Sequence, residues 1–244
     1  EFYFTGRDLS CSGDSLRTYW TDWNISNASF QISNWEIEGH SERDEGAYFR
    51  GGSNSYDFDH ITLNSDNESN EQGMDFNDVD YSTFSFDSCD FSGFEHGLYI
   101  HSSDYSEFAL NEITANDNTS HALYFPSISY SDFDMSGLRC ADNGSAGVYI
   151  SGSYNSADMR YSIMNDNQGT GFEFSCSTNN TEKDSLNVSN SGFFRNNSYG
   201  LYTSCQAMFE HLTVLDNTNN GLRVHGSFHG MSQILSSSIL WGNA

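Results

Sequence analysis

A four-residue signature, small–apolar–X–apolar, returns along this chain at a nearly constant interval, and the interval limits what the chain can become. It reads GAYF at 46–49, GMDF at 73–76, GLYI at 97–100 and ALYF at 122–125. It continues as GVYI at 147–150, GFEF at 171–174, GLYT at 200–203 and GLRV at 221–224. The leading small residue thus recurs after 27, 24, 25, 25, 24, 29 and 21 residues. A period of about 25 residues is the mark of a solenoid, whose coils stack because none can bury its apolar face alone. In a strand, Leu98 and Ile100 enter one face and Tyr99 the other.

Aligning the repeats on the small residue brings up further columns. Asn118, Asn143, Asn167, Asn196 and Asn217 each stand four positions before it. Upstream come apolar pairs spaced by two, Phe84/Phe86, Phe108/Leu110, Phe133/Met135 and Leu186/Val188, then single apolar positions at Ile113, Leu138, Ile163, Phe193 and Leu212. Each repeat reads as three short strands separated by corners of Ser, Asn, Asp and Gly, the residues that turns select. No 3.6-residue periodicity is sustained, which argues against helices. The Leu-x-x-Leu-x-Leu frame of a leucine-rich repeat is missing. With rungs ~4.8 Å apart, nine or ten coils would make a rod of roughly 45 Å.

The strand–Asn turn–GLYI repeat and the closing SSSILWGNA resemble the right-handed parallel β-helix proteins of the pectin-lyase-like superfamily, most of all their secreted and cell-surface repeat members. The resemblance runs over about residues 20–244 and implies an all-β fold. It does not fix an activity, because one fold hosts many functions. Residues 1–45 match the repeat poorly and are expected to form irregular first coils or a cap. Residues 46–244 are expected to form the regular coils of the same single domain. Both ends cut through the repeat, so the chain is expected to be part of a longer protein.

The formal net charge is −25, with one lysine, Lys183, among nine basic residues. Such a surface repels nucleic acid and polyanions. No apolar run is long enough to span a membrane. Sequons at Asn24, Asn27, Asn67, Asn179 and Asn187 are candidate glycan sites, and three more coincide with the turn column at Asn118, Asn143 and Asn196. Cys176 and Cys205 each stand five residues after a repeat glycine. They therefore occupy one station on successive coils, within disulfide reach, which implies an oxidising compartment. Cys89 and Cys140 fall two coils apart and are expected to be buried thiols, and Cys11 is unplaced.

Candidate binding chemistry gathers in the X column. Tyr48, Asp75, Tyr99, Tyr124, Tyr149, Glu173, Tyr202 and Arg223 should share one outer face. An aromatic column there either stabilises its own sheet or offers an interface, so Tyr48, Tyr99, Tyr124, Tyr149 and Tyr202 are the binding candidates. The Asn column is expected to be a structural amide ladder. His96 and His121 share a station. Asp132 and Asp134 point to one face, about 7 Å apart in a regular strand. Strings such as Asp57–Asp59 could ligate calcium, although no EF-hand loop is present. No catalytic motif is evident.

These features favour an extracellular or surface module of structural or adhesive character, part of a fibre, filament or sheath that binds itself or other surface proteins. The alternatives are a polysaccharide-binding or polysaccharide-degrading β-helix and a calcium-dependent adhesin.

Overall fold

The computed structural model describes residues 2–12, 28–38, 47–65, 72–176, 184–225 and 234–243, with side chains over 28–36 and from residue 47 onward. Among them no helix occurs, and all strand pairing is parallel. The chain is a parallel β-solenoid with about 25 residues per coil.

Its strands stack in three sheets. The long sheet runs through Phe2–Ser12, Ala28–Glu38, Ser55–Asn64, Thr83–Asp87, Glu107–Asn111, Asp132–Ser136, Ser156–Arg160, Ser185–Ser189, Gln206–Glu210 and Ile234–Ser236. The second carries the repeat signature, in Ala47–Arg50, Gln72–Asn77, His96–His101, Leu123–Ser129, Val148–Ser153, Phe172–Cys176, Leu201–Thr203 and Leu222–Val224. The third is made of three-residue strands, Arg139–Ala141, Ile163–Asn165, Gly192–Phe194, Thr213–Leu215 and Ile239–Trp241. Phe2–Ser12 and Ala28–Glu38 pair in register with each other, and Ala28–Glu38 pairs with Ser55–Asn64, extending the long sheet into the first part of the chain.

The alternation read from the sequence is the alternation of burial in the long sheet, whereas in the third sheet Ile163, read as an inward apolar position, is 38% exposed and Met164, in register with Phe193, is buried instead. Along Glu107–Asn111 the pattern is exposed, buried, exposed, buried, exposed, which sends Phe108 and Leu110 inward. Phe30, Tyr56, Phe84, Phe108 and Phe133 form one stacked column through five coils, with ring centres 5.1, 5.0, 4.8 and 4.6 Å apart. Offset stacking at this spacing adds to what apolar burial already contributes.

Polar ladders close the corners, where backbone would otherwise be buried unpaired. Asn118, Asn143, Asn167, Asn196 and Asn217 are fully buried. Each Oδ1 from Asn143 onward accepts from both the backbone N–H and the Nδ2 of the asparagine one coil earlier. The spare Nδ2 hydrogen of Asn143, Asn167, Asn196 and Asn217 goes to the carbonyl of Ala115, Cys140, Met164 and Phe193 in turn. A second ladder, Asn54, Ser82, Ser106, Ser131 and Asn155, works in the same way through backbone N–H groups.

The small residue that opens each signature has a steric cause. A Cβ on Gly171 would lie 2.5 Å from the Gly200 carbonyl oxygen and 2.8 Å from the Asn196 amide nitrogen. The coils approach too closely there for a larger side chain.

Cys176 and Cys205 form a disulfide, with Cα atoms 5.6 Å apart. Cys89 and Cys140 are buried free thiols, and burial pushes the pKa of both up to about 12. Cys11 lies in the strand Phe2–Ser12, outside the described side chains.

Candidate functional site

Two outer faces carry chemistry. The first is the tyrosine column of the second sheet. Its register is continuous: Tyr48 pairs with Asp75, Asp75 with Tyr99, Tyr99 with Tyr124, Tyr124 with Tyr149, Tyr149 with Glu173, Glu173 with Tyr202 and Tyr202 with Arg223. These tyrosines are half-buried, less open than an outward column would be. Around Tyr99 and Tyr124 the cover is imidazole. His121 lies 4.3 Å from Tyr124, His96 lies 4.6 Å from Tyr124, and His101 lies 4.4 Å from Tyr99. Tyr99 and Tyr124 stack on each other at 5.2 Å. The ring faces are turned along the stack.

Electrostatics in this cluster follow from burial. Loss of solvent, reinforced by the nearby His121 charge, lowers the pKa of His96 to about 3, and burial lowers that of His121 to about 4. Both imidazoles are therefore neutral at pH 7. Burial, then the charges of Asp75, Tyr124 and Glu95, raises the Tyr99 phenol. Asp75 is itself buried. Its Oδ1 lies 3.3 Å from His101 Nε2 without meeting hydrogen-bond geometry, and that oxygen accepts no hydrogen bond.

The second face is the outside of the long sheet. A groove of about 660 Å³ runs across six successive strands, from Gln31 to Ser156, within the size range of ligand sites. Two rows of side chains line it. Ser55, Thr83, Glu107, Asp132 and Ser156 form one row, and Asp57, Ser85, Ala109 and Asp134 the other. Glu107 and Asp132 are in register on neighbouring coils. Arg160 sits at the rim, 2.9 Å from Asp134 and 3.6 Å from Asp158. Asp132 and Asp134 do share one face, as their spacing implies.

Beside the first row lies an aromatic ladder that the repeat signature does not reveal. Tyr81, Tyr105, Tyr130 and Tyr154 occupy one corner on four successive coils. Their ring centres are 4.9, 4.6 and 4.5 Å apart, with planes within 7°. Each sits in the left-handed region, at φ of 55°, 56°, 58° and 62°. That conformation costs a side chain roughly 1–2 kcal/mol, which stacking of about 0.5–1.5 kcal/mol per pair offsets in part. The sequence carries its signal: YSTF, YSEF, YSDF and YNSA recur at 81, 105, 130 and 154.

Of the glycan candidates, Asn187 is half-exposed on the long sheet, while Asn24, Asn27, Asn67 and Asn179 lie outside the described residues. Among the described residues no group of three or more His, Cys, Asp or Glu is arranged to hold a metal ion. Nor is any helix there long and apolar enough to cross a membrane.

No family model and no curated protein matches the chain. One solved structure is similar, the crystal structure of an alginate lyase from Paenibacillus sp. str. FPU-7. Its TM-score is 0.43 and its identity 11%, over 98% of this chain and 99% of that chain. A likeness this distant carries no argument about what this chain binds or does.

Proposed function

We propose that this solenoid binds an extended polysaccharide, neutral or bearing amino groups, along the groove of the long sheet. One observation carries the reading: every coil from Ser55 to Ser156 presents a hydroxyl or a carboxylate to the groove, in two rows broken at Ala109. Neighbouring sets are ~4.8 Å apart. A site that repeats at a fixed step suits a ligand that repeats too, and hydroxyl-rich sugars match a wall of acceptors and hydroxyls. The carboxylates and the net charge of −25 disfavour uronate polymers. An extracellular location fits this reading and the disulfide.

The structural or adhesive role expected from the tyrosine column has weaker support, since the rings of Tyr99 and Tyr124 spend their faces on one another and on histidines. Hydrolysis is a second reading, motivated by the neighbouring Glu107 and Asp132. Retaining glycosidases place two carboxyl groups ~5–5.5 Å apart.

The test is calorimetric titration with neutral, amino-sugar and uronate oligosaccharides. Binding of the first or second class, weakened about tenfold or more by Glu107→Gln with Asp132→Asn, is the expected result. Equal or tighter binding of uronates, or wild-type affinity in the double variant, would overturn it. Release of reducing ends by the wild type alone would decide for hydrolysis.

A further inference from the structure

The corner ladder Tyr81–Tyr105–Tyr130–Tyr154 has a chemistry of its own, independent of what the groove binds. Tyr81, Tyr105 and Tyr130 are 63%, 47% and 44% exposed. The three ring contacts join residues 24 or 25 positions apart in the chain, at centre distances of 4.5–4.9 Å. Tyr81, Tyr105 and Tyr130 are both open to solvent and held ring to ring, the two conditions that a reaction between neighbouring rings requires, while Tyr154 at the end of the row is half-buried. The column of Tyr99 and Tyr124 differs. It is half-buried, and imidazoles stand against its rings.

We propose that this ladder is a site of oxidative tyrosine coupling, which joins successive coils of one molecule by carbon–carbon bonds. The co-reactant is a peroxide with a peroxidase, or another one-electron oxidant. Each of two stacked phenols gives up one electron and one proton. The two phenoxyl radicals join at their Cε carbons, and the hydrogens on those carbons move to the phenolic oxygens, restoring both rings. The tyrosine pair loses two hydrogens in total, and one peroxide is reduced to two waters. Coupling leaves the fold in place, because the rings are already neighbours and their exposed corner lets them turn edge to edge.

With each ring coupling once, four tyrosines in a row give two links, Tyr81–Tyr105 with Tyr130–Tyr154, or a single central Tyr105–Tyr130 link. Either arrangement ties coils together at the corner next to the groove. The linked solenoid resists unwinding, since each bond closes a loop between adjacent coils.

The experiment is peroxidase with hydrogen peroxide on the folded chain at low concentration, followed by intact mass, dityrosine fluorescence and peptide mapping. The expected product is a monomer lighter by two hydrogens per link, with links between adjacent ladder tyrosines. Its yield should be roughly tenfold or more above that of the urea-unfolded chain, because held neighbours react as if highly concentrated. Its melting temperature should also rise. Tyr105→Phe with Tyr130→Phe keeps the stacking rings but separates the remaining phenols, and should abolish the intramolecular link. The proposal fails if the links are chiefly between molecules, if they map to Tyr99 and Tyr124, if the unfolded chain couples as well as the folded one, or if the double variant couples as before.

Discussion

The imidazole of His121 lies flat on the phenol of Tyr124, with ring centres 4.3 Å apart and planes 9° apart. It is joined to the neighbouring coil, where its backbone N–H donates to His96 Nδ1 at 3.3 Å. That bond needs His96 to be unprotonated at Nδ1, and the stack disfavours two neighbouring positive charges.

Acid should therefore loosen this part of the solenoid. The pKa of His96 is lowered to about 3 and that of His121 to about 4, against an ordinary value of 6.5. Between pH 6.5 and about 3 the unfolded chain takes up protons that the folded chain refuses, so stability falls as pH falls through that window. Above 6.5 the pair contributes no pH dependence. Each tenfold loss of proton affinity corresponds to about 1.4 kcal/mol, so the effect is on the order of a few kcal/mol. Thermal melts from pH 7 to 4 should show a decline that flattens in a His96→Gln, His121→Gln variant. Equal slopes in the two proteins would remove the histidines from the explanation.

Asn167 is the test of the amide ladder. Its Oδ1 accepts from the backbone N–H of Asn143 at 3.2 Å and from Asn143 Nδ2 at 2.8 Å, and its Nδ2 donates to Cys140 and Asn196. Alanine there would strand several buried partners, each costing about 1–3 kcal/mol, so a loss of about 3 kcal/mol or more is expected. Asn187→Ala, on the half-exposed outer face, should stay within about 0.5 kcal/mol. Urea unfolding of the two variants measures the contrast. Similar small losses in both would show that the ladder contributes little.

The asparagine and tyrosine columns are legible because a period of about 25 residues aligns them directly, and the strand register follows the tyrosine column at every step from Tyr48 to Arg223. The half-buried state of Tyr99 and Tyr124 is not legible, since it depends on how the rings of His96, His101 and His121 turn, and spacing says nothing of ring orientation. The ladder from Tyr81 is marked in the sequence only by its own recurrence outside the four-residue signature. Tyrosine is a poor candidate for a left-handed corner, so nothing in its propensity marks those positions. The groove is obscure because its rows mix Ser, Thr, Asp and Glu. Its only regularity is chemical, and it emerges when Glu107 is placed beside Asp132.

Gly171 should tolerate no side chain. A Cβ would sit 2.5 Å from the Gly200 carbonyl oxygen, a backbone atom held by the next coil. Gly171→Ala is expected to destabilise by about 1–3 kcal/mol, the usual scale for overpacking. Ala122 fills the same station and is fully buried. Its replacement by glycine should cost less, about 1 kcal/mol, through backbone entropy. Denaturant midpoints of the two variants give the comparison, and a harmless Gly171→Ala would mean that the coils can part there.

The Cys176–Cys205 bridge joins residues 29 positions apart on adjacent coils. Loop-closure entropy for that length gives a stabilisation of about 3–4 kcal/mol. Reduction, or Cys176→Ser with Cys205→Ser, should lower the denaturant midpoint accordingly, and the double variant should then be indifferent to reductant. Cys89 and Cys140 do not confuse the measurement, because burial pushes the pKa of both thiols up to about 12 and keeps them protonated. An unchanged midpoint on reduction would mean that the stacked strands hold this stretch without the bond.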